Sequence, residues 1–336
     1  MKTITFLARG FLSCVVGSYV IATMAQSADF EVPRTRDGVP DLQGMWTSNT
    51  ITPLSRPAEF GDKLVLGRDE AIRLEAVVAE YSAQQDLPSD PDREAPVKGK
   101  IDLADSYNNF WFDDGTLVAE YNGEYRSSLI VDPVNGQMPA YTAAATQRID
   151  ASRAERESRG RFDGPESRPL AERCLLSFSS SGGPPMLPIL YNNHYQIVQS
   201  PGYVMILVEM VHDARIIRID DDPLPSAFRP WMGDSVAHWE GDTLVVETNK
   251  FNPSQRFRNS SDNFQIVERF TRTAEQRINY SFTIHDPETF VQDWSAEIPM
   301  NLTDERLYEY ACHEGNYSLP GVLAGARLDE REAGSN

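Results

Sequence analysis

Histidine and cysteine are scarce: the 336 residues include five of the first and three of the second. There is no HExxH, no paired CxxC and no histidine-rich tract, so the usual sequence signatures of zinc sites are missing. Gly-x-Ser-x-Gly does not occur, which removes the strand-to-helix serine nucleophile, and no glycine loop opens a helix where a nucleotide phosphate would sit. Positive charge is in the minority, with 31 Lys and Arg against 50 Asp and Glu and a net charge of -19. A surface of that sign repels nucleic-acid phosphates and anionic lipid headgroups, so neither is an expected partner. No apolar run reaches the roughly 20 residues that span a bilayer.

What is present begins with an export pattern. Lys2 and Arg9 precede an apolar stretch over 10–24, with small residues at its end, Thr23 and Ala25. This order reads as a secretory signal peptide, residues 1–25, and places the mature chain in the periplasm or outside the cell. Loss of Lys2 and Arg9 leaves 29 basic and 50 acidic residues, a charge of -21. Cys14 leaves with the signal. Cys174 and Cys312 remain, and in an oxidising compartment they are expected to form a disulfide bond.

Residues 26–125 read as an N-terminal arm. Positions 29–62 are rich in Pro and charge, and 68–84 carry Ala71, Leu74, Val77, Val78 and Tyr81 at helical spacing, an amphipathic helix packed on the main body. A Pro-rich and charged linker, DLPSDPDREAPVKGK, follows. From 126 to 317 the rhythm changes to short β-branched and aromatic runs, among them RSSLIVDP, YQIVQ, SVAHW, TLVVET, FQIVERFTR, INYSFTI and LYEYACHE. The connections between them, such as PG, EGD and TAEQ, are of hairpin type. Sequential strands joined this way predict a mainly β fold, an antiparallel up-and-down, lipocalin-like barrel that hides its edges. In INYSFTI, Ile278, Tyr280, Phe282 and Ile284 share one face. Residues 318–336 read as a C-terminal tail.

Ionisable residues that interrupt strands are the candidates for chemistry, because burial is costly unless they are paired. His212, Asp213 and Arg215 end an apolar run; Asp234 opens another; His313 and Glu314 follow Cys312. His212 and His313 are the candidate proton-transfer groups, with Asp213 and Glu314 to orient or assist them. Asp213 and Arg215 share a face of an undisturbed strand and are able to pair, while Arg215 is also the candidate clamp for a substrate carboxylate. Asn193, Tyr195, Trp231, Trp239 and Tyr310 supply polar contacts and aromatic walls, alongside Tyr107, Phe110, Trp111 and Trp294.

The ordered set PDLQGMW, TPLSRPAEFGDKLVL, RSSLIVDP, RPLAERC, EMVHDARII, WMGDSVAHWEGDTLVVET and YEYACHEGNY resembles a large family of exported bacterial proteins, over most of the mature chain. The resemblance implies a secreted β-rich fold and an activity of lyase or decarboxylase type on lignin-derived aromatic acids. It covers His212, Asp213, Arg215, Asp234, His313 and Glu314, whereas His194 and His238 stand where the family pattern carries other polar residues. Three readings result. The first is a cofactor-independent lyase or isomerase acting on a small aromatic or apolar carboxylate inside the barrel. The second is a non-catalytic periplasmic carrier of an apolar ligand, and the third a metal-dependent hydrolase.

Overall fold

The computed structural model describes residues 30–85, 87–88, 92, 112–113, 115–176, 183–190 and 192–334, with Gln85 and His212 described by their backbone. The expected signal peptide, residues 1–25, and Tyr107, Phe110 and Trp111 lie outside the described residues. Nine strands close a barrel. They are β1 (Gly44–Thr47), β6 (His194–Ser200), β7 (Tyr203–Val208), β8 (Ala214–Ile219), β9 (Asp234–Glu240), β10 (Thr243–Asn249), β11 (Gln265–Ala274), β12 (Arg277–His285) and β13 (Trp294–Leu302). β1 pairs with both β6 and β13, and so closes the ring. β5 (Ile130–Asp132) adds to the side of β13. A separate small sheet joins β2 (Val65–Leu66), β4 (Glu124–Arg126) and β3 (Glu120–Tyr121).

Two expectations change here. The N-terminal region is not solely an arm, because Gly44–Thr47 is a wall of the barrel, with Trp46 fully buried. The barrel is also not purely up-and-down: β8 and β9 run parallel. The second change follows from the first. Strict alternation of direction around a closed ring requires an even number of strands, and β1 makes the number nine, so at least one neighbouring pair must be parallel. The connection over residues 220–233 therefore crosses from one end of the barrel to the other instead of turning back as a hairpin.

Elsewhere, period two and turn chemistry place the strands as read. Ile278, Tyr280, Phe282 and Ile284 are all buried. β6 and β7 meet through Pro201 and Gly202, the latter at φ +78, a value glycine adopts without steric cost. Inside, Phe270 and Tyr280 pack at 4.9 Å and Phe282 meets Trp294 edge-on at 5.6 Å. Each such burial contributes roughly 1.5–3 kcal/mol.

The described residues include three α-helices: α1 (Arg68–Gln85), α2 (Ala143–Ser158) and α3 (Ser318–Gly334). α1 buries Ala71, but Val77 and Tyr81 are exposed, so its apolar stripe is narrower than the spacing implied. α2 is capped by Thr142, whose hydroxyl accepts the Ala145 N–H at 3.0 Å. The expected tail is thus in large part helix. The expected strand LYEYACHE is not a strand: β13 ends at Leu302, and β1 already occupies its free side. Residues 303–317 instead run as an irregular segment held by the Cys174–Cys312 disulfide, Cα to Cα 5.7 Å. No helix among the described residues is long and apolar enough to cross a membrane.

Candidate functional site

The motifs at 209–217 and 308–317 meet through the Glu209 carboxylate, beside a residue neither was expected to serve, His194. His194 opens β6 and is nearly buried; Glu209 follows β7, directly across the hairpin, and is 3 % exposed. His194 Nδ1 lies 3.2 Å from Glu209 Oε2 and 3.6 Å from Asp113 Oδ2. Its Nε2 lies 3.3 Å from Oε2 of Glu305, a side chain 71 % exposed. The second oxygen of Glu209 accepts the Tyr308 N–H at 3.0 Å, so one buried carboxylate joins both motifs. Asn49 supports Asp113 from the side, donating to its Oδ1 at 2.6 Å.

The electrostatics of this cluster are reciprocal. Burial pulls the His194 pKa down, but the Glu209 hydrogen bond and the charges of Asp113, Glu209 and Glu305 outweigh it, and the net shift is upward. For Glu209, burial pushes up, while His194, the Tyr308 N–H and Asn192 pull harder, and the net shift is downward. The signs define a window. A raised histidine pKa contributes stability that is complete below its unfolded value of about 6.5 and lost as pH rises through the folded value; a lowered glutamate pKa contributes stability present above about 4.3 and lost as pH falls through the folded value. The stability difference between wild type and His194→Gln is accordingly expected to be largest near pH 5–6 and to shrink toward pH 9. Urea midpoints of both proteins across that range test this, and a difference independent of pH would contradict it.

Glu209 leads into the turn Met210–His212, where buried Val211 adopts φ 60 and ψ 13. A β-branched residue in the left-handed region is strained, and such strain concentrates where a local geometry is functionally imposed. The turn ends at His212 and leads into half-buried Asp213, just before β8.

The other expected site residues are distributed elsewhere. Arg215 does not serve Asp213: its guanidinium forks onto the fully buried carboxylate of Glu268, Nη1 to Oε1 at 2.9 Å with Nη2 on Oε2. It also donates to Ser235 Oγ at 3.1 Å and Thr248 Oγ1 at 2.8 Å. Tyr280 donates to Glu268 Oε1 at 2.9 Å and accepts the Met186 N–H at 3.1 Å. Its phenol is held well above the ordinary range by burial and the Glu268 charge. Asp234 anchors the parallel crossover, with Arg218 at 3.1 Å, Lys250 at 3.4 Å and the Leu224 N–H at 2.7 Å. Asn193 clamps the chain before β6, accepting the Ile189 N–H at 2.8 Å and donating to the Asp113 carbonyl at 2.6 Å. Tyr195 is buried, and its phenol pKa is raised chiefly by that burial. Trp239 and Tyr310 pack half-buried against the core, and Trp231 sits half-buried in the crossover. His313 and Glu314 are exposed on the turn after Cys312.

Among the described residues no group of three or more His, Cys, Asp or Glu side chains has the arrangement to hold a metal ion. His194 and Glu209 were accessible to sequence reasoning through register alone: with Ser200 opposite Tyr203 across the Pro-Gly turn, counting back six residues on each side puts His194 opposite Glu209. No family model matches the chain, and no curated protein or solved structure is found to be similar to it.

Proposed function

We propose that the chain is an exported acid–base enzyme, of lyase or isomerase type, whose proton-transferring group is His194. The observation that carries this reading is the asymmetry of its imidazole: Nδ1 is fixed by the buried Glu209 carboxylate at 3.2 Å, while Nε2 faces the exposed Glu305 at 3.3 Å. A buried carboxylate on one nitrogen sets the tautomer and orientation of the ring and leaves the other nitrogen for a reactant. Glu305 is a side chain a ligand is able to displace. With its pKa raised, the resting imidazole is protonated over a wider range, which suits donation to a substrate oxygen.

Three carboxylates surrounding the ring disfavour an anionic substrate. Arg215, the expected carboxylate clamp, is committed to Glu268. The substrate class is therefore a small neutral or cationic molecule, and the exposed ring of Tyr308, whose N–H is bound by Glu209, offers an aromatic wall. The disulfide is compatible with an oxidising compartment and so with export.

The test is mass analysis of a panel of small aromatic ethers, alcohols and aldehydes before and after incubation with wild type and His194→Gln. At least one compound is expected to be converted, about a hundredfold more slowly by the variant. Intact recovery of every compound, including any that binds, would make the protein a carrier. Unchanged turnover in the variant would remove His194 from the chemistry.

A further inference from the structure

The second half of α2 and the loop at 159–169 enclose a cavity of about 820 Å³ on the outside of the barrel. Five arginines line it, Arg153, Arg156, Arg159, Arg161 and Arg168, against three carboxylates, Glu157, Asp163 and Glu166. In a chain with a net charge of -19, a concave surface whose lining carries five guanidiniums against three carboxylates is an exception in sign. Across residues 143–173 there are seven arginines and six carboxylates, so the excess of negative charge lies outside this stretch.

The wall of the cavity is preorganised. Arg168, with 9 % of its side chain exposed, forks onto Glu172 at 2.7 and 2.9 Å, donates to the Arg161 carbonyl at 3.2 Å and stacks over Phe162 at 4.9 Å. From α3, Arg327 donates to the carbonyls of Phe162 and Asp163 at 2.8 and 3.1 Å. Gly160 turns the chain at φ +71, and a Cβ there would come within 2.4 Å of Asp163 Oδ1. On the rim Arg159 pairs with Glu155, while three other guanidiniums are less committed. Arg153 meets Asp150 only at 3.7 Å with both side chains mostly exposed, Arg156 donates to Ser152 Oγ, and Arg161 lies against the Phe162 ring. Exposed pairs of this kind contribute about 0–1 kcal/mol, so a ligand oxyanion is able to replace them at small cost. Planar guanidinium forks match carboxylate and phosphate oxygens two at a time.

We infer that this arginine-lined cavity between α2 and the loop at 159–169 binds a small multivalent oxyanion, a phosphate- or carboxylate-bearing molecule. The site is independent of the His194 cluster and of the acid–base reading. Titration calorimetry of the whole purified protein at low salt, with pyrophosphate, citrate and uncharged glycerol as probes, tests it. One equivalent of pyrophosphate or citrate is expected to bind and glycerol not at all, with at least tenfold weaker binding in Arg156→Gln/Arg161→Gln. The anion that binds more tightly identifies the ligand's chemistry. Arg34→Gln, a surface arginine elsewhere, is expected to bind as wild type does. Absence of saturable anion binding, or equal affinity in the double variant, would overturn the inference.

Discussion

Glu268→Ala is expected to lower the unfolding free energy by about 3–5 kcal/mol, because it leaves the buried Arg215 charge without its carboxylate partner. The Glu268 side chain is fully buried and that of Arg215 is 2 % exposed. Ser235 and Thr248 would still offer hydroxyl oxygens to the guanidinium, but among the described residues no second carboxylate pairs with it. The phenol of Tyr280 would also lose its acceptor, and with it a link from β12 to β11 and through the Met186 N–H to the chain before β6. The reverse experiment separates a buried pair from a stabilising one. Replacing both partners with apolar residues of similar volume, as in Arg215→Met/Glu268→Leu, is expected to cost much less than the single change, since both desolvation penalties disappear together. Urea unfolding of the single and double variants measures the difference. A loss below about 1 kcal/mol for Glu268→Ala would mean that water reaches the pair and that the barrel interior is wet.

The same pair shows what the sequence makes legible. Ile266, Glu268 and Phe270 alternate with outward residues on β11 and all three are buried, so period two alone puts Glu268 inside. What period two does not state is which strand faces it, and Arg215 lies 53 positions away. β12, the hairpins, α1 and the cysteine pair are readable because their signals are local or because two cysteines allow one pairing. β1 is not: four residues, GMWT, with Trp46 as the large apolar one, carry no alternation to count, and what makes them a strand is the gap between β6 and β13. The parallel crossover is hidden for the same reason, since DDDP reads locally as a turn and becomes a crossing only when nine strands must close. His194 was legible through hairpin register, but a lone histidine at a strand start has no motif, and the meaning of the pair comes from Glu305 and Asp113, brought in from distant segments.

Cys174→Ser/Cys312→Ser is expected to cost about 2–5 kcal/mol, with the larger figure favoured by the length of the loop. The two cysteines are 138 positions apart, and in the chain-entropy model closing a loop of that size restricts the unfolded chain by about 5 kcal/mol. The double variant is the right comparison, since a single change would leave a free thiol. Denaturant midpoints of wild type and variant, with a thiol count on the oxidised protein, provide the measurement; two free thiols in wild type, or a shift below about 1 kcal/mol, would contradict the assignment. The consequence extends beyond stability. Downstream of the bridge, Asn316 donates to the Glu172 carbonyl at 2.8 Å, and upstream the same irregular segment supplies the Tyr308 N–H to Glu209 and the Glu305 carboxylate to His194. Freed from its anchor, that segment is expected to hold both contacts less often. Because the Glu305 charge is among the groups that raise the His194 pKa, the histidine midpoint in the double variant should fall toward its ordinary value. NMR titration of the His194 ring in both proteins reads this shift directly, and an unchanged midpoint would show that the barrel alone, without the bridged segment, positions the charges around the ring.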